Sequence, residues 1–341
     1  MAAVTPESPP RVFPREIFRT GVTEYPDEYL KAKERVNERS LTLKDGRVVS
    51  YFTDGDKSAP GAVPVICLHG GGEGKWSWLQ KTPIEGIYQV AFDRMGYGKS
   101  DLLEPVNKYT FVTAYQHVLE IADQLEIDKF VLCGFSIGSS WAMQIACQDK
   151  GKRVQGLVLF GLMADAGHPK MDKKTVGKVG KPPKCLDPFT GCCGCIIRGE
   201  FHKYVPKNQN YDFKLAFSRE STLPTCKIGW EKLKADPFWV CTKVDSFLAY
   251  NRGDALMGDA ARSLFNPWMF DISEISMPVY IFQGAGDYDM GSSAPAAPEF
   301  VHSMIKGSKM TLVDGYGHVC ITGPNELFRE QLSSSVEKIL S

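Results

Sequence analysis

The chain has 341 residues, of which 43% are hydrophobic and 23% are charged, and this size allows one domain, or one domain with an insertion, to bury a large core. Its 40 Lys and Arg residues equal its 40 Asp and Glu residues, so bulk electrostatics gives no reason to expect a nucleic-acid or acidic-polymer partner. An ordinary globular protein is therefore expected.

The N-terminus contains no basic stretch followed by an apolar one, and no window of the chain approaches the roughly 20 apolar residues that span a bilayer. The sequence thus predicts neither secretion nor a transmembrane segment. Two of the ten cysteines, Cys67 and Cys133, lie inside apolar runs, where a thiol behaves as a small hydrophobe. We expect free thiols, a reducing compartment and a cytoplasmic location.

In chain order, residues 1–38 are rich in Pro and charged residues and are predicted to form an N-terminal extension, a mobile tail followed by a covering segment. The stretch Ser40–Gly55 alternates apolar and polar residues around Asp45-Gly46, which predicts a hairpin with a two-residue turn at an antiparallel edge. Four short apolar runs then end in small residues, as buried parallel strands do: Val63–Gly72, Ile87–Ser100, Lys129–Gly138 and Val154–Leu162.

A crossover helix is predicted between the second and third of these runs, because apolar residues recur there at helical spacing from Phe111 to Leu125. Alternating strands and helices predict an α/β fold with a mostly parallel central sheet flanked by helices. The pattern breaks over residues 161–275, which we expect to be an inserted cap, so that residues 39–160 and 276–341 form the core. A closing helix is predicted over Asn325–Leu340.

A candidate nucleophile lies in Gly134-Phe135-Ser136-Ile137-Gly138, between a predicted strand and a predicted helix. That context is typical of a G-x-S-x-G nucleophile elbow, in which small flanking residues permit a sharp turn that presents the Ser136 hydroxyl. The alternative is a tight strand-to-helix turn with an incidental serine.

A serine hydroxyl is a poor nucleophile until a base takes its proton, so a histidine must come within hydrogen-bond reach. His318 is the best placed of the six histidines, because the preceding run MTLV predicts a strand that ends at the carboxyl edge of the sheet. His117 and His302 fall in predicted helices and are interpreted as surface or packing residues.

The imidazole in turn needs a carboxylate that holds its tautomer. Asp287 follows the predicted strand PVYIFQ within Gly284-Ala-Gly-Asp287, and it gives the order Ser, Asp, His that accompanies such an elbow. Asp289 lies two residues further on and remains open, and Asp165 is a more distant candidate.

An oxyanion needs two backbone donors, one of which is usually the amide after the nucleophile, here Ile137. The second is expected from the loop His69-Gly70-Gly71-Gly72, with Gly71 preferred, since glycine lets the backbone approach a substrate oxygen. We expect the elbow to lie two strands further along the sheet from this loop.

Together these motifs resemble the α/β-hydrolase superfamily, over roughly Leu41 to Leu340: HGGG at 69–72, DRMGYGKS at 93–100, GFSIG at 134–138, GAGD at 284–287 and GYGH at 315–318. The resemblance implies the α/β-hydrolase fold, and it implies that Asp93 and Ser100 form a structural turn below the site. Epoxide hydrolases and dehalogenases of this fold use an aspartate nucleophile, so Ser136 argues against both. GYGKS is not a phosphate loop, because that motif needs glycine where the chain has Asp93.

The resemblance implies a serine hydrolase that cleaves a small carboxylic ester or related acyl compound, with no cofactor and no metal. Another serine-dependent activity of the superfamily stays open: C–C bond hydrolysis, acyl transfer or peptide hydrolysis. A protein of another class also stays open, namely a small-molecule receptor with slow turnover, similar to the plant karrikin and strigolactone receptors, which also keep a triad.

The predicted cap carries the little that the sequence says about substrate. Trp239 and Trp268 are predicted to contact it, although aromatic residues in a cap are as often part of its core. A lysine run from Lys170 to Lys184 is interpreted as a solvated loop. For the cluster Cys185–Cys195 three hypotheses compete: unmodified thiols, a metal site, or palmitoylation that gives peripheral membrane contact beside the basic run.

Overall fold

The structure, a computed structural model, describes residues 22–102, 108–165, 168–171, 223–248, 255, 258–259, 268–287 and 296–341. Eight strands form one sheet. They are β1 (Arg39–Thr42), β2 (Val48–Asp54), β3 (Val63–Leu68), β4 (Ile87–Phe92), β5 (Phe130–Phe135), β6 (Val154–Phe160), β7 (Val279–Gly284) and β8 (Lys309–Val313).

The strands lie in the order β1-β2-β4-β3-β5-β6-β7-β8. The pairs β1–β2 and β2–β4 are antiparallel, and the remaining pairs are parallel. The predicted mostly parallel sheet with an antiparallel edge is therefore confirmed. The expected separation of the HGGG loop from the elbow was wrong: β3 and β5 are direct neighbours, because the chain crosses from β4 back over β3 to β5.

Helices cover both faces of this sheet, as predicted. They are α1 (Asp27–Val36), α2 (Phe111–Gln124), α3 (Ile137–Asp149), α4 (Lys227–Ala235), α5 (Pro237–Leu248), α6 (Ala296–Met304) and α7 (Glu326–Leu340). One buried cluster joins the sheet to α2, α3 and α6, and a second joins it to α1, α4, α5 and α7. Successive strand residues alternate between the two clusters, as Ile66 and Cys67 do, because side chains in a strand point to opposite faces.

The first hairpin differs from its prediction in the turn. Leu43 N–H donates to the Arg47 carbonyl at 2.8 Å, and Gly46 N–H donates to the Leu43 carbonyl at 2.9 Å. Residues 44–46 therefore form a three-residue loop rather than the predicted two-residue turn. Gly46 ends the loop with φ of 85°, the left-handed conformation that three-residue hairpin loops place at glycine.

Residues 161–278 connect the neighbouring strands β6 and β7. The described parts of this connection include α4 and α5, which pack in the same buried cluster as α1 and α7. Phe238, Trp239 and Val240 of α5 are each at most 1% exposed. This part of the predicted cap thus completes the core on one face of the sheet.

Candidate active site

Ser136 lies at the turn between β5 and α3, with φ of 54° and ψ of −126°. Such a conformation is strained for a residue other than glycine, and strain of this kind collects at functional sites. A Cβ at Gly138 would lie 2.1 Å from the Leu68 carbonyl oxygen, so only glycine lets α3 begin this close to β3. The turn is fixed further because Ser136 N–H donates to the Phe160 carbonyl at 3.0 Å.

The structure brings Ser136, His318 and Asp287 together from three different strand ends. His318 Nε2 lies 2.9 Å from Ser136 Oγ, and His318 Nδ1 lies 2.7 Å from Asp287 Oδ2. All three residues are buried. Since an ionised carboxylate only accepts, Nδ1 carries a proton and Nε2 is left to accept from the serine hydroxyl. This is the geometry in which a histidine removes a serine proton.

The turns that carry the acid and the base are bonded to each other. Gly286 N–H donates to the Tyr316 carbonyl at 3.0 Å, which joins the turn after β7 to the turn after β8. The Asp287 carboxylate also accepts from Gln283 Nε2 at 2.6 Å, so its orientation does not depend on His318 alone. Gln283 was not anticipated from the sequence.

The other predicted candidates for acid and base lie elsewhere. The Asp165 carboxylate accepts from the Trp268 amide at 3.1 Å, and Asp289 is outside the described residues. His117 Nε2 lies 3.2 Å from Arg47 Nη2, and His302 Nδ1 lies 2.8 Å from Ser308 Oγ. Of the acid and base candidates that the structure describes, only Asp287 and His318 meet at the serine.

The proposed oxyanion donors border Ser136 on two sides. Ile137 opens α3, and amides in the first turn of a helix have no intrahelical acceptor. In the HGGG loop, a Cβ at Gly70 would lie 3.2 Å from Ser136 Cβ and 3.1 Å from the Phe135 ring. The loop therefore passes directly over the elbow, and Gly71, which is partly exposed, follows this closest point.

A buried arginine that sequence reasoning missed holds the start of this loop. Arg94 donates through Nε to the His69 carbonyl at 3.1 Å and through Nη2 to the Gly70 carbonyl at 3.1 Å. The guanidinium also pairs with Asp259 at 2.6 Å and 2.8 Å. Burial by itself would lower the pKa of Arg94, but Asp259 outweighs it and raises that pKa, so the cation persists.

His69 serves the same loop as a structural residue. Its Nδ1 lies 2.8 Å from the Gly70 carbonyl, and its Nε2 accepts from the Arg94 amide at 2.9 Å. Burial, reinforced by the Arg94 charge, lowers the pKa of His69 well below its usual value. The ring is therefore neutral, and both of its nitrogens are occupied.

Asp93 and Ser100 form the turn that the resemblance implied. Ser100 Oγ donates to the Asp93 carbonyl at 2.6 Å. The buried Asp93 carboxylate accepts from the Lys75 amide at 2.9 Å and from Lys75 Nζ at 2.5 Å. The turn thus fixes the residues after the HGGG loop and does not reach Ser136 itself.

The structure does not bring the two predicted substrate tryptophans together. Trp239 is 1% exposed and belongs to the buried cluster of α5, whereas Trp268 is 8% exposed and belongs to the cluster on the opposite face. The Trp268 cluster also contains Met163, whose Sδ lies 3.9 Å from Ser136 Oγ. Met163 was missed in the sequence, although it comes shortly after a strand end.

Gly161, directly after β6, adjoins the candidate base His318 and was also missed in the sequence. Its φ is 50°, and a Cβ there would lie 3.2 Å from His318 Nδ1. The sequence carried a signal for it, because glycine directly after an apolar strand often marks close approach of another backbone or side chain.

Several predictions fall on residues that are not described: Cys185–Cys195, and the lysine run after Lys170. Within the described ranges, no group of three or more His, Cys, Asp or Glu side chains is arranged to hold a metal ion. No helix in the same ranges is long and apolar enough to cross a membrane. The cysteines of these ranges are all buried, and Cys67, Cys133, Cys147 and Cys241 carry free thiols.

Comparison with known proteins identifies the family. Residues 63–185 match the family described as the alpha/beta hydrolase fold. The chain is 30% identical over 306 residues to a Bacillus subtilis (strain 168) protein provisionally named 2-succinyl-6-hydroxy-2,4-cyclohexadiene-1-carboxylate synthase, with 88% of this chain and 98% of that protein covered. The chain belongs to the α/β-hydrolase superfamily, and this membership supports an enzyme of the hydrolase class.

Shorter and more distant similarities agree with this assignment. The chain is 32% identical over 104 residues to 3-oxoadipate enol-lactonase 1 of Acinetobacter baylyi, which covers 30% of this chain and 37% of that protein. Among solved structures, the esterase RhEst1 from Rhodococcus sp. ECU1013 superposes with a TM-score of 0.59 at 17% identity, covering 89% of this chain and 98% of that one. At that identity the likeness concerns the fold alone.

Proposed function

We propose that this protein is a serine hydrolase that cleaves a carboxylic ester or a related small acyl compound through an acyl-enzyme on Ser136. The observation that carries the proposal is the continuous set of short contacts from Ser136 Oγ through His318 to Asp287, at 2.9 Å and 2.7 Å. Among the relatives, the enol-lactonase acts on an ester bond by its name, which supports this choice of substrate class.

In the proposed reaction, Ser136 Oγ attacks the acyl carbon while His318 Nε2 takes the hydroxyl proton. The oxyanion that forms accepts from the amides of Ile137 and Gly71, and Asp287 stabilises the imidazolium. The intermediate collapses, the acyl–oxygen bond breaks, and His318 returns the proton to the departing alcohol. Water, activated by the same histidine, then releases the acid and restores Ser136.

The folded structure lowers the activation barrier of the proposed reaction by preorganising the reacting groups. The partners of Ser136 are already within hydrogen-bond distance, so little reorganisation is needed when charge develops in the transition state. Met163 Sδ beside Ser136 Oγ gives the reacting atom an apolar neighbour, which favours an uncharged acyl group there. The free, buried thiols of Cys67, Cys133, Cys147 and Cys241 support a reducing compartment, and we propose a cytoplasmic location on that basis.

The test is hydrolysis of nitrophenyl esters of short and medium acyl length by the wild type and three variants. Ser136→Ala and His318→Ala should each lose on the order of 10⁴-fold or more in turnover, because the pair acts as a unit. Ser140→Ala is the matched control, since Ser140 lies in the first turn of α3, which begins directly after Ser136, and its buried hydroxyl has no hydrogen-bond partner among the described residues. A wild type that binds acyl ligands but turns over no ester would instead favour the receptor hypothesis.

A further inference from the structure

The loop that supplies one proposed oxyanion donor, residues 69–74, is anchored at both ends by buried groups. Arg94 holds its start through the carbonyls of His69 and Gly70. Its other end, Glu73 and Gly74, meets helix α5. Only Gly71 and Gly72 lie between the two anchors, so the direction of the Gly71 amide depends on where each anchor sits.

Helix α5 contacts the end of the loop through a buried ion pair. Lys243 Nζ lies 3.4 Å from Glu73 Oε1, and the two side chains are 0% and 4% exposed. The same ammonium lies 5.4 Å from the centre of the Phe135 ring, and Phe135 directly precedes Ser136. Lys243 thus touches the elbow strand and the oxyanion loop at once.

A second contact between α5 and the loop comes one helical turn further on. Ser246 Oγ accepts from the Gly74 amide at 3.1 Å and donates to the Gly74 carbonyl at 3.2 Å. One buried hydroxyl therefore contacts both polar groups of Gly74, whose carbonyl also accepts from the Ser77 amide at 3.1 Å and from Ser77 Oγ at 3.0 Å. Such paired bonds fix the position and the orientation of the backbone together.

The helix that makes these contacts is itself held firmly. Asp245, between the two contact residues, accepts from Tyr25 Oη at 2.5 Å and from Tyr29 Oη at 2.9 Å. Lys33 of α1 pairs with the same carboxylate at 2.5 Å. These bonds tie α5 to the segment that precedes the sheet, so α5 is a rigid support for the loop.

We propose that Lys243 and Ser246 are positioning residues that aim the Gly71 amide at the reacting carbonyl. The inference rests on the proposed function, and it gives α5 a role in chemistry although α5 lies in the segment predicted from sequence to be a cap. Neither side chain reaches the reacting atoms; each acts through the backbone of the loop. The position of the Gly71 amide must be accurate, because a displacement of about 1 Å at a catalytic group can lower the rate about 100-fold.

The first test is Ser246→Ala, with Thr242→Val as the matched control. Thr242 is equally buried in α5, but its hydroxyl bonds to the Trp239 carbonyl of the same helix at 2.8 Å. We expect Ser246→Ala to lower kcat by about 10-fold to 100-fold with little change in KM, since the oxyanion forms only in the transition state. Thr242→Val should keep kcat.

A trifluoromethyl ketone separates positioning from loss of folded protein. Ser136 Oγ adds to its carbonyl carbon, the hydroxyl proton passes to His318, and the resulting oxyanion occupies the same donors as in the reaction. The affinity of Ser246→Ala for the ketone should fall in proportion to its kcat/KM. An unchanged ketone affinity, or a lower urea midpoint with unchanged kcat, would overturn the proposal.

The ion pair is tested with Lys243→Met, Glu73→Gln and the double variant. Each single change leaves a buried charge without its partner, whereas the double change removes both charges. We expect the double variant to recover the urea midpoint while kcat stays about 10-fold or more below the wild type, because the contact that fixes the loop is gone. Full recovery of kcat would overturn the role of Lys243.

Hydrogen–deuterium exchange of residues 69–74 tests the same inference without any turnover. Ser246→Ala should exchange faster over this loop than Thr242→Val, at equal exchange elsewhere. If the wild type hydrolyses no ester, the proposed function fails, and the exchange result alone decides the positioning role. Equal exchange of residues 69–74 in both variants would refute the positioning role of Ser246.

Discussion

Replacing Asp287 with asparagine removes one charge from the centre of the proposed site while keeping the shape of the side chain. The carboxylate lies 2.7 Å from His318 Nδ1 and 2.6 Å from Gln283 Nε2, and it is 1% exposed. In the proposed reaction a positive charge appears on His318 when the serine proton is transferred. Asparagine cannot compensate that charge, and its amide group also competes for the wrong tautomer of the imidazole.

The size of the loss follows from this geometry. Two unit charges about 4 Å apart interact by about 4 kcal/mol at an effective dielectric constant of about 20, which corresponds to almost 10³-fold in rate. Loss of tautomer control adds to this value, and about 10⁴-fold is the typical total for such a substitution. We therefore expect Asp287→Asn to lower kcat by about 10³-fold to 10⁴-fold.

The assay is steady-state hydrolysis of a nitrophenyl ester by Asp287→Asn, Asp289→Asn and Asp165→Asn. Asp165 is the control because it is also buried, yet its carboxylate accepts from the Trp268 amide and not from His318. If Asp287→Asn keeps more than about a tenth of wild-type kcat, or if Asp289→Asn is the inactive variant, the assignment of the acid is wrong.

Three further predictions follow from buried contacts. Trp239→Ala and Trp268→Ala should each lower the free energy of unfolding by about 3–5 kcal/mol. Trp268→Ala should also shift the preference between short and long acyl esters. An unchanged preference would show that Trp268 does not shape the pocket. Gly161→Ala should lower kcat at least about 10-fold, since its Cβ would lie 3.2 Å from a nitrogen of the base; unchanged kcat would contradict this placement. Burial raises the pKa of Glu38, but the ammonium groups of Lys75 and Lys99 together outweigh it and lower that pKa to about 2. The carboxylate therefore adds about 2–3 kcal/mol to the free energy of unfolding above about pH 4.5, and this contribution is lost as the pH falls towards 2. In urea unfolding between pH 3 and pH 7, the free energy of unfolding of Glu38→Gln should therefore depend less on pH than that of the wild type. Identical slopes of this free energy against pH would refute the prediction.

The sequence predicted those features that depend on local pattern. Apolar runs that end in glycine marked β3, β5 and β6, and the strand-turn-helix context made Ser136 the candidate nucleophile. His318 and Asp287 followed from the chemical needs of a serine nucleophile and from their positions after strands. Each of these inferences uses residues that are close together in the chain.

The contacts that sequence reasoning missed join residues far apart in the chain. Glu73 and Lys243 are 170 positions apart, and Arg94 and Asp259 are 165 apart, so no local pattern pairs them. Each did leave a weak signal, namely a charged residue within an apolar or glycine-rich stretch, because a buried charge needs a partner. The neighbouring placement of β3 and β5 was missed for a related reason: strand order in space differs from order in the chain.

Covalent labelling with a serine-reactive phosphonate asks directly whether Ser136 is the nucleophile. The protein is treated with a fluorophosphonate, and intact mass and peptide mapping are compared for the wild type, Ser136→Ala and Ser140→Ala. We expect one adduct on the peptide that contains Ser136 in the wild type and in Ser140→Ala, and none in Ser136→Ala. Equal labelling of Ser136→Ala, or an adduct mapped to another residue in the wild type, would contradict Ser136 as the nucleophile.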